Sequence, residues 1–320
     1  MKLSIPAAML SWICSTTLVN ATSTTRASRI IHSRYAFGTV AFSSSPSAGR
    51  TSNPSKDSND NNRHHDEEED SWSPWTDPKL EDRSGGKQTF RSRQHVNPLA
   101  SKFQQPTVLS PDWPFDVFKD YSRPLFLDIG CARGGFLVDF ASQRPADYNY
   151  LGLEIRPIVV RQAQTRIAKH GLEGFLDFVG CNANVDLERL LTIGKAENKV
   201  EMVTIQFPDP HFKTRHAKRR VVTPELVLCL ARFMPPSATV FLQSDIQSVL
   251  DDMRFQFRQQ PDLFRDDVES VEEYLPENIF GIPTEREVSV LDKGLPVYRT
   301  TLKRTTVPVS AVHEERRDQQ

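Results

Sequence analysis

Five short apolar runs, separated by helical patterns, constrain this chain more than any other feature. PLFLDIG (Pro124–Gly130) is apolar and ends on glycine, so it reads as a strand buried on both faces of a sheet. NYLGLEI (Asn149–Ile155), FLDFVGCNA (Phe175–Ala183), KVEMVTIQF (Lys199–Phe207) and SATVFLQSD (Ser237–Asp245) repeat that pattern. Between them GGFLVDFASQ, PIVVRQAQTRIAKHG and IQSVLDDMRFQF carry helical periodicity. Pro157 stands near the start of the second helix and Gly171 just past its end, the expected asymmetry of helix termini. Thr223-Pro224-Glu225 opens another, with threonine as cap and proline at the first helical position. Two late runs, EVSVLDKG and PVYRTTLKR, flank a Gly-Leu-Pro turn and are expected to complete the sheet as strands. Strands alternating with helices predict an α/β fold with a doubly wound, mostly parallel sheet. Ligands of such sheets gather outside the carboxyl ends of the strands, so the polar residues there are the ones to read.

The 320 residues divide unevenly. Residues 1–50 read as a targeting presequence and residues 51–92 as a polar, acidic linker that includes HHDEEED. Such a linker has too little apolar surface to offset the entropy of ordering it. Residues 93–306 hold the periodic sequence of one α/β domain, and 307–320 form a polar tail expected to fray. The presequence begins with one lysine and an apolar run, then turns to Ser, Thr and Arg, with no Asp or Glu before Asp57. A signal-like segment followed by a transit-like one resembles the two-part presequences of algae with secondary plastids. Organelle import follows, with plastid favoured and a mitochondrial address the alternative. The apolar run is too short to predict a membrane span, so the mature protein is expected off the membrane.

Net charge is −1, yet Lys213 to Arg220 concentrates five Lys or Arg with one His. A local basic block on a near-neutral chain is an electrostatic footprint for a polyanion. Cys14, Cys131, Cys181 and Cys229 show no CxxC or Cys/His spacing, so neither a metal site nor a disulfide is predicted.

Read in order, the strand ends give a set of candidates. Asp128-Ile-Gly130-Cys-Ala132-Arg-Gly134-Gly135 is a glycine turn between strand and helix, where a nucleotide-like ligand can lie against backbone. Glu154 closes the second strand about 20 residues later, the place for an acid that takes ribose hydroxyls. A generic α/β turn and an NAD site both share this pattern. Asp128, an acid able to attract a cationic donor, and the lack of a complete pyrophosphate cradle lean toward S-adenosylmethionine. The third strand ends in Cys181-Asn182-Ala183, where the amide either reads an adenine edge or is a plain turn asparagine. The fourth ends in QFPDP. Its two prolines fix their own φ and are expected to hold Phe207 and Asp209 extended, aiming the Asp209 carboxylate stiffly. A simple aspartate turn is the alternative. Behind it the basic block suits phosphate positioning, against a solvated surface helix. Asp245 follows the fifth strand, and Thr284-Glu285-Arg286-Glu287 matches a capping box.

LDIGCARGGFL, YLGLEI, FPDPHFKTRHAKRR and the PTERE with GLPVYR ending together resemble the tRNA (guanine-N7)-methyltransferases, and RQHVNPLASKFQ is similar to the leader of plant and cyanobacterial members. The resemblance spans Arg93 to Arg304. It implies a Rossmann-like class I S-adenosylmethionine-dependent methyltransferase fold. It also implies methylation at N7 of the tRNA variable-loop guanosine at position 46. Carried over, Asp128, Gly130, Gly134, Glu154, Ile155, Asn182 and Ala183 hold the donor, with Asp209 at the active centre between donor and base. Lys213, Asp245, Thr284, Glu285, Arg286 and Glu287 hold the target nucleotide, and Arg215, His216, Lys218, Arg219 and Arg220 lie on the tRNA backbone. The single-subunit type implied here needs tRNA but no obligate protein partner. Departures from the family pattern are His211 for a frequent Trp, Asp128 for a frequent Glu and Asn182 for a frequent Asp. A methyltransferase of another RNA, or a tRNA-binding homologue without catalysis, stays open on the residues alone.

Overall fold

The computed structural model describes residues 95–211, 214–268, 270 and 273–311, with the side chains of 214 and 215 excluded. The presequence, the linker, Lys213 and all but the first residues of the tail lie outside the described residues.

The elements in chain order are β1 (Leu125–Ile129), α1 (Gly135–Gln143), β2 (Asn149–Glu154), α2 (Pro157–Lys169), β3 (Leu176–Gly180), α3 (Ala183–Ile193) and β4 (Val200–Gln206). There follow α4 (Pro224–Phe233), β5 (Thr239–Ser244), α5 (Gln247–Arg258), β6 (Phe264–Asp266), α6 (Glu285–Leu291) and β7 (Tyr298–Arg304). The seven strands form one sheet in the order β3-β2-β1-β4-β5-β7-β6. Strands β1 to β5 pair in parallel, and β7 runs antiparallel between β5 and β6. Every residue of β1, β2 and β5 is buried, as expected for strands covered on both faces.

Alternation along β1 sorts its side chains into two layers. Leu125, Leu127 and Ile129 face a core completed by α3, α4 and α5, with Leu187, Leu190, Val227, Leu230, Leu250 and Phe257. Phe126 faces the other way, into a cluster with Phe136 and Phe140 of α1 and Tyr150 of β2. Phe280, from the segment before α6, packs on Phe126, Phe136 and Phe140 with ring centroids 5.2–5.7 Å apart. That aromatic contact brings the late part of the chain back over the start of the sheet.

Three local expectations change. EVSVLDKG is not a strand, because Thr284 caps a helix that begins at Glu285 and buries Glu287 and Val290 three residues apart. Helix α3 was not predicted, although Asn182 caps it and Leu187, Leu190 and Leu191 form its buried face. The start of the polar tail is not loose: Val307 and Val309 lie against the main core. Among the described residues no helix is long and apolar enough to cross a membrane.

Candidate active site

The strand order reverses between β1 and β4, and a cavity of about 510 Å3 opens at the carboxyl ends of the strands there. Its wall begins with the glycine turn after β1. Gly130 (φ +84°), Ala132 (φ +49°) and Gly134 (φ +70°) all take left-handed backbone. Two hydrogen bonds tie the turn to β2, from Gly130 N and Cys131 N to the Leu153 carbonyl at 2.8 and 3.0 Å. At Gly134 a Cβ would stand 2.3 Å from the Phe178 ring, whereas at Gly130 it would meet nothing within 4 Å. The first glycine therefore leaves open space beside the backbone, and the second lets α1 sit close against β3.

Asp128 and Glu154, the acids at the ends of β1 and β2, are each 4% exposed. The Thr204 hydroxyl donates to Asp128 Oδ1 at 2.6 Å. Burial nevertheless pushes the Asp128 carboxyl up to about 7, and the charge of Glu154 adds to the rise. Gln206 stands near enough to ease it downward, yet the buried Gln206 Nε2 makes no hydrogen bond of normal geometry. Glu154 is held at both oxygens by Arg156, through Nε and Nη2 at 2.9 Å each, and its Oε1 also accepts from the Arg156 backbone N–H at 2.9 Å. Ile155 lies between them on the cavity wall.

Asn182 also lines the cavity, but its side chain is committed to backbone. Its oxygen accepts from Asn184 N at 3.2 Å, capping α3 in front of Ala183. Its NH2 donates to the carbonyls of Pro98 and Phe103 at 3.1 and 3.3 Å. The turn-asparagine reading thus describes its hydrogen bonds, and both donor hydrogens hold the leader segment across the cavity.

The loop after β4 differs from expectation at Phe207. Phe207 is not extended: its φ is +49°, and its N–H donates to the Gln243 carbonyl at 2.8 Å. The following proline disfavours the right-handed helical region at Phe207 but by itself favours extended backbone, so the left-handed turn goes with the hydrogen bond to β5 rather than with the proline. A non-glycine residue there is strained, and the hydrogen bond to β5 is what holds it, adding a constraint to those of the two prolines. Asp209 lines the cavity with its side chain 39% exposed, and Oδ1 lies 2.6 Å from His95 Nδ1.

Beyond the loop, a 3-10 turn spans Thr214–Arg219. Arg219 lines the cavity and Lys218 is exposed. The His216 ring stands perpendicular to that of His211, centroids 6.4 Å apart. Burial favours the neutral imidazole of His211, against the pull of Asp209. Arg220, expected on the tRNA backbone, has its guanidinium engaged within the protein. Its Nη1 donates to Asp252 at 2.5 Å, and Nε and Nη2 hold the His211 carbonyl at 3.3 and 3.2 Å. It clamps the loop to α5, because its guanidinium reaches both at once.

Asp245, Thr284, Glu285 and Arg286 form the far rim of the cavity. Asp245 does not cap α5, whose cap position is Ile246, and instead pairs with Arg286. Glu285 faces Arg166 of α2 at 3.7 Å. Glu287 turns away from the cavity. It accepts from Arg299 at 2.7 Å, from Gln243 at 3.0 Å and from Asn278 at 2.8 Å, and closes the capping box with Thr284. The TERE motif thus splits, with three residues at the rim and the fourth in a buried network. Sequence reasoning missed His95, Pro98 and Arg156 as wall residues; only the leader's general likeness hinted at the first two.

A glycine turn after β1, acids ending β1 and β2, and an antiparallel β7 between β5 and β6 define a Rossmann-like class I methyltransferase. Residues 122–300 match the protein family described as "Putative methyltransferase". The chain is similar to the tRNA (guanine-N(7)-)-methyltransferase of Microcystis aeruginosa, 47% identical over 213 residues that cover 67% of this chain and 97% of the relative. It is also similar to that of Synechococcus elongatus, 49% identical over 209 residues, 65% of this chain and 94% of the relative. Among solved structures, an antibiotic-related methyltransferase aligns over 64% of this chain and 98% of its own, at 15% identity and a TM-score of 0.42. The chain belongs to the tRNA (guanine-N(7)-)-methyltransferase family.

Proposed function

We propose that this protein transfers the methyl group of S-adenosylmethionine to N7 of a guanosine in tRNA, at the variable-loop position 46 that the sequence motifs imply. One observation carries the reading: Asp209, on a doubly constrained loop, stands on the cavity wall between the glycine turn and the basic 3-10 turn.

The cavity suits the donor. The backbone of Gly130 faces open space, Glu154 ends β2, and the Gln206 amide keeps a buried donor without a partner. When bound, S-adenosylmethionine supplies an electrophilic methyl group on a sulfonium. Asp128, Gly130, Gly134, Glu154, Ile155 and Ala183 are assigned to holding it, with Asn182 shaping the wall. Ribose hydroxyls compete with Arg156 for Glu154, so that ion pair opens or shares its acceptors on binding.

Guanine N7 has an exposed lone pair and no proton to lose, so the protein needs no general base. Its work is alignment and electrostatics. The Asp209 carboxylate accepts from the donor edge of the purine and opposes the positive charge that develops on the ring. Asp245, Thr284, Glu285 and Arg286 are assigned to the target nucleotide. Arg219, Lys218 and His216 are assigned to phosphate, as are Lys213 and Arg215 on the sequence alone. The protein acts without an obligate protein partner and off the membrane, after a presequence has delivered it to a plastid; the cyanobacterial source of the relatives supports that address over the mitochondrion. A fluorescent fusion of residues 1–92 tests it by where the signal collects.

The activity is tested by incubating an unmodified organellar tRNA transcript with labelled donor, then reducing the product and cleaving the strand at the modified base. Cleavage at one variable-loop guanosine is expected. Label at another base or atom, or donor binding without transfer, overturns the reading.

A further inference from the structure

The two prolines and the left-handed Phe207 stiffen the backbone on either side of Asp209, but they leave its side-chain torsions free to turn. A carboxylate that is 39% exposed has solvent on one side, and the Arg156 guanidinium and His211 ring feel its charge without hydrogen-bonding to it. What stands against it is His95, from a segment 114 residues earlier in the chain, with Nδ1 2.6 Å from Oδ1. Among the described residues, Oδ2 takes no hydrogen bond, so the acid keeps one oxygen for a ligand.

His95 is not a loose end that happens to reach this acid. Three residues on, the Pro98 carbonyl accepts from Asn182 Nδ2 at 3.1 Å and from Gln104 Nε2 at 2.7 Å. The Phe103 carbonyl accepts from the same Asn182 NH2 at 3.3 Å, and the Phe103 side chain is buried. The leader is thereby fastened to the end of β3 and runs over the cavity, with His95, Val96 and Pro98 on its wall. Its length from the anchor to the imidazole is only three residues, so the ring has little freedom to wander.

We infer that His95 is a positioning residue for methyl transfer: its Nδ1–H holds Oδ1 of Asp209 so that Oδ2 points at the bound purine. Either protonation state of the ring can supply that hydrogen bond, provided the neutral ring carries its hydrogen on Nδ1. The leader therefore contributes to the rate rather than to tRNA affinity, and it does so through the acid. This inference rests on the role proposed for Asp209 in the transfer.

The test is single-turnover methylation of a tRNA transcript by the full chain and by His95→Ala, His95→Asn and Asp209→Ala, with donor and tRNA dissociation constants measured alongside. His95→Ala is expected to lower kcat by about 10-fold, the loss of one charge-assisted hydrogen bond, with KM and thermal midpoint little changed. His95→Asn, whose amide nitrogen can replace Nδ1, is expected to recover most of that loss. An unchanged kcat in His95→Ala overturns the inference, as does a faster rate, which would mean that the imidazole obstructs the acid. Failure of the amide to rescue while the alanine variant is slow and normally folded also overturns it. If Asp209→Ala itself turns over normally, the reading of the active centre fails first, and the two failures are told apart.

Discussion

Asp128 and Thr204 are register partners on the adjacent parallel strands β1 and β4, and the threonine hydroxyl donates a 2.6 Å hydrogen bond to the carboxylate. That bond, even with the easing from Gln206, does not offset burial, which pushes the acid up to about 7. Between the ordinary carboxyl value and about 7, the folded protein binds a proton at this site that the unfolded chain has released. Stability therefore falls as pH rises through that window. Asp128→Asn keeps an acceptor for Thr204 and removes the charge. Its chemical denaturation is expected to show a flatter pH dependence from 5 to 8, by on the order of 1–3 kcal/mol. A parallel shift of the whole profile, with its slope unchanged, would contradict this account.

The same acid predicts the pH dependence of donor binding. A cationic donor favours the ionised carboxylate, so its affinity should rise between pH 6 and 8 and level off above. Calorimetry in buffers of different ionisation heat should register proton release at pH 6.5, absent in Asp128→Asn. No proton release from the unsubstituted protein would remove Asp128 from the donor site.

Glycine-turn variants separate crowding from backbone strain. Gly134→Ala places a Cβ 2.3 Å from Phe178 at φ +70°, so it should cost more than Gly130→Ala, which meets open space at φ +84°. Ala132 already sits at φ +49°. Relief of about 1–2 kcal/mol of left-handed strain outweighs the extra unfolded-state freedom of glycine, so Ala132→Gly should be neutral to stabilising by up to about 1 kcal/mol. Thermal denaturation of the three variants checks the order, and a destabilised Ala132→Gly would contradict it.

Glu287→Ala is expected to be a stability variant. It leaves the Arg299 guanidinium, 5% exposed, with only Gln243 and two carbonyls as partners. Removing one member of a buried ion pair costs about 3–5 kcal/mol. Denaturant unfolding should show that loss. A fold as stable as before, with only substrate KM changed, would return Glu287 to the binding site.

The basic block divides by what each guanidinium touches. Arg219→Ala should weaken tRNA binding and reduce the slope of log affinity against log salt by about 1. Arg220→Ala should leave that slope alone and reduce kcat, because it frees His211 from α5. Filter binding across a salt series, with turnover measured beside it, distinguishes them; equal slopes for both would refute the division.

Much of the sheet was legible because its strands are doubly buried. PLFLDIG, NYLGLEI and SATVFLQSD have no solvent-facing side to confuse with a helix, and glycine closes the first and aspartate the last. EVSVLDKG misled because Val288, Val290 and the buried Glu287 mimic the alternation of a strand, while the cap that decides the matter lies just before them. Strand β6, three residues long, left no periodic signal; it is an edge recruited by β7. At the site, sequence position located the strand ends but not where side chains point. Arg220 and Glu287 belong to motifs that also place residues on the cavity wall, and only three-dimensional partners separate them. The His95–Asp209 contact spans 114 residues, beyond any local pattern.

The rate of methyl transfer by Asp209→Asn, measured in a single turnover with tRNA and donor both saturating, tests the central claim most directly. The substitution preserves shape and removes charge. A fall of about 100-fold or more, with tRNA and donor affinities within a factor of two, is the predicted result. Transfer at the normal rate would contradict the assignment of this acid to the active centre.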